Sequence, residues 1–157
     1  MVRVEIAEHL DREVFEIRAE FGEINVRSLE IIAKERYGVK AVVDTPLALW
    51  NSYVVDTWNG LYIFYNAPFE RYKPLALGHE IGHIAAGHFD GNASGILEEE
   101  DEADYFSAKI NNVSLNELRF CRWVDSTLFF KDLVLYPFRK KKEVKRLQGM
   151  GVYYYMD

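Results

Sequence analysis

Two histidines four residues apart, with a glutamate directly after the first, stand in Leu77-Gly78-His79-Glu80-Ile81-Gly82-His83. On a helix, residues at i and i+4 project from one face, so the imidazoles of His79 and His83 can reach one metal ion. Glu80, about 100° round the helix from His79, can lean over an open coordination position. This spacing suits metal-assisted hydrolysis, in which the histidines hold a divalent cation and the glutamate moves a proton. Such a site needs a third ligand and a helix to carry the pair.

A third histidine six residues after His83 would complete one known arrangement, but that position is Phe89. His88 lies five residues after His83, and on a continuing helix it would point away from His79. An acid from a following helix is the remaining source. Glu98 to Asp104 holds six acids in seven positions. Placed at about 100° intervals, Ile96, Ala103, Phe106, Ser107 and Ile110 share one face. Glu99 falls within that arc and Glu100 just beyond its other edge, whereas Glu98, Asp101 and Glu102 point further away. Glu100 is favoured because Asp104 lies one turn on along the same side, where a carboxylate can take the other N–H of a ligating histidine. Periodicity leaves Glu99 open. Removing His79 or Glu100 should release the ion, and removing Glu102 should not.

The elements that position these groups follow from pattern and punctuation. Residues 4–21 carry a helical stripe of Val4, Ile6, Leu10, Val14, Phe15, Ile17 and Phe21, stopped by Gly22. A second helix is expected over 26–37, capped by Asn25, burying Val26, Leu29, Ile32 and Ala33 and ending at Gly38. Val39 to Val43 reads as a strand. Tyr53–Thr57 and Leu61–Tyr65 flank Trp58-Asn59-Gly60, a hairpin signal. The motif helix is expected over 75–86, with Pro74 in its first turn and Gly87 at its end. Its Leu77, Ile81, Ile84 and Ala85 should face the core. The row Gly78, Gly82 and Ala86 predicts close approach by another backbone, because two glycines inside a helix cost about 1 kcal/mol each against alanine. A helix follows over 96–110. Ser114-Leu115-Asn116-Glu117 reads as a capping box opening a helix to about Val124, with Val113 and Leu118 as its staple. Further helices are expected from Asp125 or Ser126 to Pro137 and through the basic run to Gly149, then a packed tail at Tyr153–Tyr155.

The 157 residues, 49% hydrophobic and 28% charged, fit one domain with a real core. The expected class is α+β: a small antiparallel or mixed sheet packed on the H-E-x-x-H helix and further helices. Residues 1–25 form an N-terminal helix and 111–157 a helical extension. One cysteine, Cys121, excludes an internal disulfide and a cysteine-cluster metal site, and fits a reducing compartment. No apolar run is long enough to span a membrane, and Met1 to Glu5 lacks the pattern of a signal peptide. A net charge of −6 argues against direct nucleic-acid binding. Six basic residues in the eight from Arg139 to Arg146 read as a solvated helix face, or as a docking patch for an acidic partner.

Gly78-His79-Glu80-Ile81-Gly82-His83-Ile84-Ala85-Ala86-Gly87-His88, followed by Glu100-Asp101-Glu102-Ala103-Asp104-Tyr105-Phe106-Ser107-Ala108, resembles the ImmA/IrrE family of metallopeptidases. That family's motifs look like A-H-E-L-G-H and E-x-E-A-(N/D)-x-F-A. The resemblance spans roughly residues 26–110, including a strand ending at Asn66. It departs at Lys73-Pro74-Leu75-Ala76, where the family often has R-R-F-T, at Gly78 in place of alanine, and at Lys109-Ile110-Asn111-Asn112 in place of L-L-M-P. The resemblance implies a zincin-like fold, zinc held by His79, His83 and Glu100, and a cytoplasmic protease that cleaves helix-turn-helix repressors. Manganese is the alternative metal. Glu80 is the expected base, and Tyr65, Tyr72, Arg71 and His88 are candidates to stabilise an oxyanion. An edge strand near Leu61 to Tyr65 could pair with an extended substrate. The alternative function is a catalytically silent zincin-like protein that sequesters a repressor or toxin.

Overall fold

The computed structural model describes residues 2–45, 52–65, 70–90 and 95–121. The expected elements beyond residue 121, the strand end at Asn66 and most of the loop before Gly95 lie outside the described residues. The architecture is α+β. Helices α1 (Val4–Phe21) and α2 (Val26–Glu35) precede strand β1 (Ala41–Asp44) and the hairpin β2 (Tyr53–Thr57) and β3 (Gly60–Tyr65). A 3-10 turn, Glu70–Tyr72, leads into α3 (Lys73–Ala85), and α4 (Ile96–Ile110) and a helix α5 from 115 follow.

Helix α1 stops where Gly22 takes φ +69°, a conformation that costs a glycine little. Its buried face is Leu10, Val14 and Ile17, whereas Val4 and Phe15, expected in the stripe, are exposed. Helix α2 opens with a reciprocal cap: the Ser28 N–H donates to the Asn25 side chain and the Asn25 N–H donates to Ser28 Oγ. It ends at Glu35, two residues before the expected limit, and Gly38 at φ +66° turns the chain back. The Val39 N–H then bonds to the Ala33 carbonyl. That donor is spent on closing the helix, so the strand starts at Ala41 rather than Val39.

The sheet is mixed, in the order β1-β3-β2. Strand β1 runs parallel to β3, with Val42 opposite Ile63, and β2 runs antiparallel to it, with Val54 opposite Ile63. Strand β3 is therefore the centre of the sheet and not the edge expected near Leu61 to Tyr65. Both its sides are hydrogen-bonded, which leaves it no ladder for a further strand. Thr57 pairs with Gly60, so Trp58 and Asn59 make the turn and Gly60, at φ +120°, supplies its positive dihedral.

One core joins these elements. Leu10 and Ile17 of α1, Leu29 and Ile32 of α2, Ile63 of β3, Leu77 and Ile81 of α3, and Phe106 and Ile110 of α4 are fully buried together. Each such side chain contributes roughly 1.5–3 kcal/mol on leaving water. Helix α3 is central: it packs on α4, α2 and β3. Among the described residues, no helix is long and apolar enough to cross a membrane.

Candidate metal centre

Helix α3 starts at Lys73, with Pro74 in the first turn, where its missing N–H removes no bond. Leu77, Ile81 and Ala85 of the predicted flank are buried and Ile84 is partly so, and together they fix the rotation of the helix. Gly82 sets its distance from α4. A Cβ there would stand 2.8 Å from the Ala103 carbonyl oxygen and 2.9 Å from the Ala103 Cα. The close backbone approach read from the small-residue row is thus an approach to α4. It brings the acids of α4 beside the histidines of α3.

His79 Nε2 and His83 Nε2 lie 3.1 Å apart. Glu100 Oε2 is 3.5 Å from His79 Nε2, and Glu100 Oε1 is 3.5 Å from His83 Nε2. These three residues form a group whose ligand atoms could hold one metal ion. A tetrahedral ion with bonds of about 2.0–2.1 Å keeps neighbouring ligand atoms about 3.3–3.4 Å apart. The two imidazole nitrogens lie near that spacing, and each ring has a different Glu100 oxygen close to it. Two imidazoles and a carboxylate also match the donor set of catalytic zinc sites that keep a position open. Glu99 lines the same cleft, but Glu100 is the acid in the ligand group.

The outer partners are as specific. His79 Nδ1–H donates to Asp104 Oδ1 at 2.9 Å, the role expected of Asp104. That puts the His79 lone pair on Nε2, facing His83 and Glu100. Gly87, at φ +75°, ends the regular helix and folds the chain back, so that the His88 N–H reaches the His83 carbonyl at 3.1 Å. His88 therefore does not continue the helix. Its Nδ1 lies 2.8 Å from His83 Nδ1, and its Nε2 donates to Glu102 Oε2 at 3.0 Å. His88 also lines the cleft, with both ring nitrogens engaged by protein groups.

Glu102 overturns the expectation that it points away. Its side chain is 0% exposed, and Arg3 grips both its oxygens, Nε to Oε1 at 2.8 Å and Nη2 to Oε2 at 3.0 Å. Burial works to raise its pKa, but the hydrogen bonds from Arg3 and His88 outweigh burial and hold the carboxyl at about 2. A helical wheel sees one helix, and the partners of Glu102 come from two other segments.

A cleft of about 380 Å³ opens over this group. His79, Glu80, His83 and Glu100 line it, with Ser52 to Val54 of the β2 edge, Tyr72, Leu118 and Cys121 around them. Glu80 is buried, and burial pushes its carboxyl above the usual range while His79 and Ser52 oppose the shift. The other oxyanion candidates separate. Tyr72 lines the cleft, and Arg71 Nη2 donates to its hydroxyl at 2.8 Å while the guanidinium lies over its ring. Tyr65 is buried on β3, and its hydroxyl donates to Glu30 of α2 at 3.1 Å, so it belongs to the scaffold. Ile96, expected on the buried face of α4, is 78% exposed. No protein-family model matches this chain, and a search of curated proteins finds no match.

Proposed function

We propose that the chain is a zincin-like, zinc-dependent endopeptidase acting on a protein substrate. The resemblance to the ImmA/IrrE family names the substrate class, a cytoplasmic helix-turn-helix repressor. The observation that carries the reading is the convergence of His79 Nε2, His83 Nε2 and the Glu100 carboxylate at the floor of a cleft that Glu80 also lines. A site that served only as a structural staple would need no buried acid beside it. Two imidazoles favour zinc over manganese, which prefers oxygen donors.

A bound zinc ion supplies Lewis-acid activation of water and of the scissile carbonyl. Glu80 accepts the proton from the attacking water and returns it to the leaving amine. Glu100, His79 and His83 hold their positions through the packing of α3 on α4. Strand β2 pairs only with β3 among the described residues, and Ser52 to Val54 border the cleft. An extended peptide can add to that edge, which puts its backbone across the site. Of the four oxyanion candidates, Tyr72 is the one that brings a hydroxyl to the cleft.

A cleavage assay on candidate repressors, with wild type and Glu80→Gln, tests this. Wild type should cut, and Glu80→Gln should lose about 10²–10⁴-fold in rate while keeping its zinc. Cutting that survives Glu80→Gln would remove the base, and binding without cleavage by either protein would favour a sequestering role.

A further inference from the structure

Both imidazoles of the candidate centre are held from behind, but by different devices. His79 donates directly to Asp104. The group that faces His83 Nδ1 is instead another imidazole, that of His88, at 2.8 Å. We propose that His88 is a positioning residue for the ion. Carried by Glu102 and Arg3, it fixes His83 in the tautomer and orientation that offer Nε2 to the metal. The inference rests on the metal reading above and extends the site to Arg3, which precedes α1.

The proton count follows from the geometry. For His83 to offer Nε2 to a cation, its own proton must sit on Nδ1. His88 Nδ1 must then accept that proton, because two N–H groups cannot face each other at 2.8 Å. His88 accordingly carries its proton on Nε2, and the atom facing that Nε2, at 3.0 Å, is a Glu102 oxygen, an acceptor. Every step has a donor opposite an acceptor: His83 to His88, His88 to Glu102, Arg3 to Glu102.

Burial makes the arrangement specific. The side chains of His88 and Glu102 are 3% and 0% exposed, so a misplaced proton would leave a buried polar group unpaired. Arg3 anchors the carboxylate with three contacts, two from its guanidinium and one from its backbone N–H at 3.4 Å. A staple between Arg3 and α4 would need only Arg3 and Glu102. It would not need the fold-back at Gly87 that lays the His88 ring on His83.

The experiment is a zinc-affinity titration of the full chain against a chromophoric chelator, with folding of each variant checked by circular dichroism. His88→Phe keeps ring bulk and loses both nitrogens. His88→Gln keeps an acceptor for His83 and a donor for Glu102. The expected result is about 10–100-fold weaker zinc binding for His88→Phe and for Glu102→Leu, as for other outer partners of a ligating histidine, which replaces the expectation that Glu102 is indifferent to the ion. His88→Gln should restore affinity to within about threefold of wild type on the same scale. In zinc-loaded wild type, imidazole ¹⁵N NMR should find a slowly exchanging proton on His83 Nδ1, correlated across the hydrogen bond to His88 Nδ1. That readout needs no variant to fold. If wild type binds no zinc, or His79→Ala binds as tightly as wild type, the metal reading fails and this inference with it. If wild type binds zinc and His79→Ala does not, but His88→Phe matches wild type or His83 Nδ1 carries no proton, the positioning role is overturned and the metal reading stands.

Discussion

Two arginine–glutamate clamps tie the N-terminal segment to the rest of the molecule, and they are built almost alike. Arg36 grips both oxygens of Glu13, at 2.9 and 3.0 Å, and the Tyr37 hydroxyl adds a third donor at 2.8 Å. Arg3 grips both oxygens of Glu102, at 2.8 and 3.0 Å, and His88 adds a third donor at 3.0 Å. Each is a forked guanidinium with one ring donor beside it. The difference lies behind the ring. Tyr37 has one polar atom, so the first clamp ends there and acts as a brace between α1 and α2. Imidazole has two, so the second clamp continues to His83 and the candidate metal. Similar ion-pair chemistry, to which Arg36 adds a bond to Glu16, becomes scaffold or site support according to whether its last donor can pass the contact on.

The comparison can be broken from its largest effect downward. Removing a ligand sets the scale: His79→Ala should lose zinc by more than the 10–100-fold expected for any outer partner, read as zinc per chain after dialysis. Asp104→Asn comes next. It keeps an acceptor oxygen but removes the charge behind His79, and should weaken zinc binding about 10–100-fold with little change in melting temperature. If Asp104→Asn left zinc affinity unchanged, the division between direct and relayed support would lose its reference point.

Gly82→Ala acts on the interface that brings α3 and α4 together. The new methyl meets backbone of Ala103, which cannot move aside as a side chain could, so overpacking of about 1–3 kcal/mol is expected despite alanine's better helix propensity. Denaturant melts measure it, and an unchanged or raised stability would mean that the helices are not in contact there.

The smallest effect belongs to the brace. Glu13→Gln should cost about 1 kcal/mol or less, since Arg36 is a quarter exposed, and should leave zinc affinity untouched. The pH dependence has a definite sign. Hydrogen bonds from Arg36 lead the causes that hold the Glu13 carboxyl below its ordinary 4.5. A depressed folded-state pKa means that this stabilisation is full above about 4.5 and fades as pH falls through the lower folded value. The stability gap between wild type and Glu13→Gln should therefore close in acid. A gap that widened below pH 4 would contradict the assignment.

Much of this was legible in the chain itself. The i, i+4 histidines, the core flank of α3 and the glycine row are properties of one helix, and a helix's own periodicity reports them. Glu100 with Asp104 was readable because both lie on one side of α4. Glu102 and His88 were not. The partner of Glu102 is Arg3, 99 residues away, and the place of His88 depends on the sign of φ at Gly87. The expected edge near Leu61 to Tyr65 is not there, because a strand's position in a sheet depends on pairing order and β3 is central. Gly78 and Asn111 explain each other. A Cβ on Gly78 would stand 2.8 Å from Asn111 Nδ2, which donates to the Pro74 and Ser107 carbonyls. The glycine leaves room for that asparagine.

The most direct test of the central claim is zinc K-edge X-ray absorption on the zinc-loaded full chain. The account predicts two imidazole nitrogens and oxygen ligands at about 2.0–2.2 Å, with no sulfur. A first shell without imidazole scattering, or one containing the thiolate of Cys121, would contradict it.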